Sequence, residues 1–423
     1  MSRLLLVSLS VDAILGEVTI GRRREKLEEM TRTNGLSDLY TAKLNHLRAQ
    51  KGHKAVLGMN VLMWLLFSEG PIGSEELCYA LGVEIGSTDL DPENIPSLRL
   101  LVSSCLGLIT VKRVSKSSST VQLVHLTLQE HLLSDPTLFH SPHSKIAEVC
   151  LTYLNYGFVR DLSPTLNSAP PTLPLLGYAS CNWGEHARRG ITENIRILAL
   201  RLLIRFDEHI SAQLLLLRYN QDRSHGPYFQ ARGGPVGFTG LHGVAFLGIV
   251  DIVAPVFEMK EWDVNATDST GSTALTWAVR RGREEVVKML LERQDVNPDH
   301  ADPESGRTPL TWAAIMGHEE VVRMLLERED VNPNHKDTEY SRTPLSWAAE
   351  YEHEGIVKML LERNDVAHDG VAWILPERDN ATSDESNHDG QAPLPPWWSR
   401  PLSILPLALS RRRGGAKGGP NNA

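Results

Sequence analysis

Side chains that commonly act as nucleophiles or metal ligands are present in this chain of 423 residues, but their spacing does not favour catalysis. The chain contains no G-x-S-x-G segment, no H-E-x-x-H segment and no cluster of Cys and His at ligand spacing. Acidic pairs such as Glu284-Glu285 fall on solvent-facing positions of predicted helices, where carboxylates are ordinary surface groups. We therefore expect no enzymatic activity, no metal site, no cofactor and no small-molecule substrate.

Phosphate binding is a second kind of chemistry to test against the sequence. A phosphate-binding loop needs the pattern G-x-x-x-x-G-K-[ST], because its glycines expose backbone N–H groups and its lysine reaches the terminal phosphates. No such pattern occurs, and the glycines near Gly52-His53-Lys54 and in Gly415–Gly419 have the wrong spacing. We expect that the chain does not hydrolyse ATP.

The cysteines indicate the redox environment. They are widely separated along the chain, at Cys78, Cys105, Cys150 and Cys181. Their spacing and mostly apolar surroundings predict buried, reduced thiols and a cytoplasmic protein, not disulfides or zinc ligands. No uninterrupted apolar run reaches the length of a membrane-spanning helix, so we expect no membrane span.

Charge is unevenly distributed, and its distribution indicates the kind of partner. The formal net charge is −9, whereas residues 236–366 contain 24 Asp and Glu against 13 Lys and Arg. Nucleic acid binding requires clustered basic side chains, so this acidic region is not expected to bind a phosphate backbone. It is better suited to a basic or polar protein partner.

A repeated block organises the C-terminal half of the chain. The residues RTPLTWAA at 307–314 recur as RTPLSWAA at 342–349 and, in a looser form, as STALTWAV at 272–279. The block EEVVKMLLER at 284–293 keeps the same spacing at 319–328 and 354–363. A period near 33 residues with a T-P-L signature is typical of ankyrin repeats. We predict four stacked units over residues 236–366.

Each predicted unit is a pair of helices that buries its apolar face only against its neighbours. The Thr hydroxyl of the T-P-L signature can cap helix one, and Gly282 and Gly317 can end it in a left-handed conformation. The first unit departs from this pattern, since Gly240 replaces Pro and Pro255 falls within helix two. We expect that it packs on residues 191–230 as an internal junction.

The candidate partner-binding residues lie in and beside two longer connections between repeats, residues 302–307 and 337–342, which are predicted to project as finger hairpins. The candidates are Asp302, Glu304, Arg307, Asp337, Tyr340, Arg342, Trp312 and Trp347. The connections could equally be solvated turns. The recurring Trp could form an exposed stripe for a partner, since Trp is common at binding hot spots, but packing between repeats is the favoured interpretation.

The predicted fold is mainly α, with a winged-helix domain and a helical stem before the ankyrin solenoid. Residues 1–60 form a helical segment, and residues 61–140 follow the order of a winged-helix domain: three helices, a two-stranded hairpin near 108–123 and a closing helix. Residues 141–235 form a helical linker with a proline-rich loop at 163–174. Residues 367–423 are rich in Pro, Gly and Ser, which predicts a disordered tail.

Nucleic acid binding by the winged-helix region is disfavoured because residues 61–140 contain nine acidic and four basic residues. Several segments upstream of the repeats instead resemble the C-terminal half of the nucleotide-binding module of fungal NACHT–ankyrin proteins, which are NLR-like signalling ATPases. These segments are EELCYAL at 75–81, LVHLTLQEHL at 123–132, IAEVCLTYL at 146–154, and YAS with WGEHA at 178–187. The resemblance covers about residues 1–190.

This resemblance implies that the NTPase core of the family is missing from the chain and that His125 lies in the region that senses the nucleotide. Two functions follow from the sequence. The first is a non-enzymatic protein-interaction module that presents ankyrin repeats. The alternative is a regulatory or signalling fragment that associates with a full-length NACHT ATPase relative.

Overall fold

The structure is a computed structural model that describes residues 19–22, 36–115, 118–221, 236–259 and 262–367. The predicted tail therefore lies outside the described residues from residue 368 onward, as do most of residues 1–35. The described part is mainly helical, which confirms the predicted class. None of its helices has the length and apolar character needed to cross a lipid bilayer.

The described part of the N-terminal region contains five α-helices and one hairpin. They are α1 (Leu36–Arg48), α2 (Lys54–Phe67), α3 (Ser74–Gly82), α4 (Leu98–Ser104), β1 (Ile109–Arg113), β2 (Ser119–Leu123) and α5 (Leu126–Leu133). The strands pair antiparallel, with Ile109 opposite Leu123 and Arg113 opposite Ser119. The predicted order of helices, hairpin and closing helix is confirmed, whereas its assignment to the winged-helix class stays a prediction.

Five further α-helices lie in residues 142–221, upstream of the repeats. They are α6 (Pro142–Leu154), α7 (Gly157–Arg160), α8 (Leu175–Arg189), α9 (Glu193–Leu203) and α10 (Ile210–Gln221). The predicted loop before α8 is present. The apolar segment at 191–219 is broken into two helices by a short 3-10 turn at Phe206–Glu208, because Phe206 turns into the core. The ring of His209 then bonds to the carbonyl of Leu154 at 3.1 Å and fixes the start of α10.

Four helix pairs follow, as predicted. They are α11 (Gly240–Leu247) with α12 (Val250–Met259), α13 (Ala274–Arg280) with α14 (Glu284–Leu291), α15 (Pro309–Met316) with α16 (Glu319–Leu326), and α17 (Pro344–Glu350) with α18 (Glu354–Leu361). Helix one of each pair packs on helix one of the next pair, and the second helices pack in a parallel row. Neighbouring repeats thus bury one continuous core.

The predicted caps of helix one are confirmed in three repeats. The hydroxyl oxygens of Thr273, Thr308 and Thr343 each accept a hydrogen bond from the backbone N–H three residues later. Thr239 of the first unit differs, since its hydroxyl bonds to the His242 ring at 2.8 Å. The first N–H groups of a helix have no partner within the helix. The caps satisfy such N–H groups locally, so the neighbouring repeat does not have to supply acceptors for them.

The first repeat is joined to the preceding helices, which confirms the predicted junction for the described residues. All eight residues of α11 are buried. A Cβ on Gly240 would collide with the carbonyl oxygen of Leu203, and Phe238 packs on Phe206 with ring centroids 6.0 Å apart. This close approach of two backbones explains why glycine stands where the other repeats carry Ala or Pro.

Candidate interaction surface

The predicted finger hairpins are tight turns held from the inside by an aspartate. The Asp302 carboxylate accepts hydrogen bonds from the Ser305 amide at 2.6 Å and the Arg307 amide at 3.2 Å. Asp337 accepts from the amides of Tyr340 and Arg342 at 2.8 and 3.3 Å. Both hairpins are therefore ordered, because each buried acceptor satisfies two amides of its own turn.

The tryptophans of helix one lie in the core of the array. Trp277, Trp312 and Trp347 are all buried, so packing, the interpretation favoured by the sequence, is confirmed. The Trp277 indole N–H donates to Asp268 at 2.7 Å, and the Trp347 indole N–H donates to Asp337 at the same distance. Asp337, which orders the second finger, thus also anchors an indole ring.

Arginine side chains lie between these rings and form what we term the guanidinium ladder. The Arg280 guanidinium carbon is 4.5 Å from the ring centroids of both Trp277 and Trp312. The Arg307 guanidinium carbon lies 5.1 Å from the Trp312 ring and 5.0 Å from the Trp347 ring. Stacked guanidinium groups are attracted by the negative faces of the rings, so the ladder ties consecutive repeats together.

Burial of Arg307 is balanced by carboxylates of the next finger. Only 2% of its side chain is exposed, and its Nε lies 3.7 Å from the buried Asp337 carboxylate. Its Nη2 donates to Glu339 at 3.1 Å. A buried cation requires such partners, because desolvation alone costs several kcal/mol.

The burial of these side chains reduces the number of predicted contact residues that a partner can reach. The structure places Asp302, Arg307, Asp337, Trp312 and Trp347 in the interior of the array. Glu304 and Tyr340 are exposed at finger tips, and the Arg342 side chain is partly accessible. A partner can reach these three side chains, and their role as contacts stays a prediction.

The second helices supply the charged part of the surface. Equivalent positions of successive repeats carry like charges: an acidic row of Glu284, Glu319 and Glu354, a basic row of Lys288, Arg323 and Lys358, and an acidic row of Glu292, Glu327 and Glu362. All nine side chains are exposed. Helix one contributes little surface in the third repeat, where residues 309–315 are all buried.

Sequence reasoning missed Arg280 as part of the core. It ends helix one of the second repeat, at a position where the next two repeats carry Ile315 and Glu350. Because the residue type does not recur, the period gave no signal for it. A charged residue beside a recurring Trp was the only available indication.

Upstream of the repeats, His125 caps a helix. Its Nδ1 accepts a hydrogen bond from the Thr127 amide at 3.2 Å, at the start of α5. The Thr127 hydroxyl in turn bonds to Tyr40 at 2.9 Å. The nucleotide-sensing role that the resemblance implies for His125 stays a prediction.

The four cysteines are free thiols, as predicted, and three of them are buried. Burial raises the pKa of Cys78 and Cys181 to about 11 and that of Cys105 to about 12. At neutral pH these groups are protonated. They are therefore poor nucleophiles, because the thiolate is the reactive form.

Comparison with known protein families agrees with the geometry of the C-terminal half. A family model described as "Ankyrin repeats (3 copies)" matches residues 202–302 and 294–369. The chain therefore carries ankyrin repeats, which confirms the sequence prediction for this region. The match begins within α9, upstream of the predicted boundary at residue 236. No curated protein matches the chain.

Proposed function

We propose that the chain is a non-enzymatic protein-interaction module whose acidic ankyrin array receives a basic protein partner. Ankyrin repeats generally serve as protein–protein interaction modules. The observation that carries the proposal is the exposed charge: two acidic rows flank one basic row on the second helices, and residues 236–366 have an excess of 11 acidic residues. We also propose a cytoplasmic location, supported by the four free thiols.

In this proposal the acidic charge attracts the partner at long range, whereas the side chains of the fingers contact the bound partner. An acidic field attracts a basic partner and raises its rate of association, and salt weakens this effect beyond about 10 Å at 0.1 M ionic strength. The finger turns are rigid, so few side chains must be ordered on binding. Nucleic acid is not proposed as a partner, because the array would repel its phosphates.

The test uses the full chain and two labelled peptides of equal length, one with several Arg and Lys and one with Glu at the same positions. Fluorescence anisotropy is measured at low and high salt. We expect binding of the basic peptide that weakens as salt rises, and no binding of the acidic peptide. Equal binding of both peptides, or binding of neither, would contradict the proposal.

A second candidate function is a regulatory fragment that associates with a full-length NACHT ATPase relative. It rests on the resemblance of the upstream segments to that family, and within the chain Glu185, in the WGEHA segment, forms an ion pair with Arg283 of the second repeat at 3.2 Å. A signal received by the array could thus reach the upstream helices. Co-elution of the chain with such a purified ATPase is the expected result, and separate elution at micromolar concentrations would exclude this role.

A further inference from the structure

The fourth repeat departs from the others at two positions that upstream repeats reserve for glycine. A Cβ on Gly306 would come within 2.6 Å of Thr338, and one on Gly317 would come within 2.6 Å of His353. The equivalent residues of the fourth repeat are Ser341 and Glu352, at φ 56° and 59°. Both are exposed. A further repeat stacked with the same geometry would collide with their side chains, so this end of the array presents a different kind of surface.

Two tyrosines are exposed at this end. Tyr340 is 42% exposed and Tyr351 is 36% exposed, and no other aromatic side chain of the described residues is as accessible. Their ring centroids lie 5.6 and 6.0 Å from that of the buried Trp347. The core indole therefore holds both rings in place, which lowers the entropy lost when they bind a partner.

The chain binds guanidinium groups at the two interfaces among its last three repeats. Arg307 lies between two indole rings with carboxylates at 3.1 and 3.7 Å. Arg342 repeats the arrangement at the end of the array, 4.8 Å from the Trp347 ring and 5.6 Å from the Tyr340 ring. Its carboxylate partner is Glu350, at 3.5 Å.

Aromatic rings and carboxylates, the two kinds of group that bind Arg342, also lie on the exposed surface beside it. We define the terminal patch as Tyr340, Tyr351, Glu350, Glu352 and Glu354, all of which are exposed. Arginine suits such a surface better than lysine, because a planar guanidinium stacks on a ring while it donates to a carboxylate. The patch is also continuous with the acidic rows of the second helices.

We propose that the terminal patch binds arginine side chains of an extended basic segment in a partner protein. This inference rests on the proposed function, since it names the surface and the side chain that a basic partner uses. The partner's arginine extends the guanidinium ladder by one rung. Its charge is balanced by Glu352 and Glu354.

The test measures binding of three labelled peptides, rich in Arg, Lys or Glu, to the full chain by fluorescence anisotropy. We expect the Arg peptide to bind more tightly than the Lys peptide. The double variant Tyr340→Ala/Tyr351→Ala should weaken Arg-peptide binding about 10-fold, as expected for the loss of two cation–π contacts. The double variant Glu352→Gln/Glu354→Gln should weaken it several-fold at low salt, by an amount that shrinks as salt rises.

Matched controls separate the patch from general charge and from folding. Tyr340→Phe/Tyr351→Phe keeps both rings and should bind like the wild type, and Glu284→Gln/Glu285→Gln removes two carboxylates at a distant repeat and should have less effect. If circular dichroism shows that the alanine variant is unfolded, the Gln pair decides the question. Tight Arg-peptide binding that no patch variant changes would overturn this inference alone, whereas failure of both basic peptides to bind would overturn the proposed function as well.

Discussion

At the scale of single residues, Asp299 breaks a hydrogen-bond pattern that its counterparts in neighbouring repeats keep. The Asn334 side chain donates to the carbonyl of Asp365 and accepts from the Ala367 amide, both at 2.6 Å. Asn265, one repeat before Asp299, makes the corresponding pair of bonds. The Asp299 side chain has no N–H to donate, and its Oδ1 has no hydrogen-bond partner among the described residues. Burial raises the pKa of Asp299.

We predict that Asp299→Asn stabilises the chain by about 1 kcal/mol at pH 7, the usual contribution of one added hydrogen bond. A raised folded-state pKa means that the aspartate contributes stability at low pH and loses it as pH rises through that pKa. The advantage of Asn should therefore narrow as pH falls towards 4. Urea unfolding at several pH values measures it. Asn334→Asp should lower the free energy of unfolding by a similar amount. If the extra stability of Asp299→Asn did not vary with pH, the explanation would be contradicted.

The left-handed position at the tip of each finger gives a second prediction. Gly306 adopts φ 67° and Ser341 adopts φ 56° at the equivalent site. Ser341→Gly should stabilise the chain by up to about 1 kcal/mol, because glycine adopts this conformation without strain. Gly306→Ser should destabilise it by a larger amount, since its Cβ would also meet Thr338. Thermal unfolding compares the two variants, and equal effects at both sites would be inconsistent with stacking of the fingers.

At the scale of elements, Asp337 joins its finger to helix one of the same repeat and to the finger of the previous repeat. It accepts from two amides of its hairpin and from the Trp347 indole, and it faces the Arg307 guanidinium of the previous repeat. One carboxylate therefore orders the turn, fixes a core ring and balances a buried cation. Its replacement affects all three features.

Asp337→Ala should lower the free energy of unfolding by about 3–5 kcal/mol, the usual cost of removing one partner of a buried ion pair. Trp fluorescence during urea unfolding reports the change. Asp330→Ala is the matched control, because Asp330 is exposed and its ion pair with Arg328 at 2.7 Å should contribute less than about 1 kcal/mol. A small effect at Asp337 would show that the carboxylate does not hold the ladder.

The helices of the repeats could be predicted from the sequence, whereas the contacts between buried side chains of neighbouring repeats could not. Thr273 and Thr308 indicated the start of helix one, because helix capping depends on local sequence and the capping residue recurs with the period. Arg307 and Asp337 suggested surface contacts, because charged side chains are usually exposed. Their mutual compensation inside the array depends on distances across two repeats, which no local pattern encodes. Arg280 was missed because its residue type does not recur at the equivalent positions, which carry Ile315 and Glu350.

At the scale of the whole molecule, the array is continuous with the helices that precede it. Leu247 of the first repeat packs closely on Gly184 of α8, and Arg283 pairs with Glu185 nearby. The apolar face of the first repeat is therefore covered by the chain's own stem. The stem therefore covers the N-terminal end of the array, as a capping repeat does in other solenoids, which need such a cap for solubility.

Gly240→Ala tests this junction, since the added methyl group would meet the Leu203 carbonyl. We expect a marked loss of thermal stability, because both backbones must move apart and their packing is lost. Gly157→Ala is the control, as no atom lies within 4 Å of its added Cβ. Equal melting temperatures for the two variants would argue that the stem and the repeats fold independently.

The acidic array and its terminal patch can be examined together by hydrogen–deuterium exchange of the full chain with and without a saturating arginine-rich peptide. We expect slower exchange in residues 337–342 and 350–354, because the bound segment would cover the second finger and the end of helix one in the fourth repeat. Exchange in residues 61–189 should not change. Protection confined to that upstream region, or no protection anywhere in the repeats, would contradict the assignment of the array as the partner-binding part of the protein.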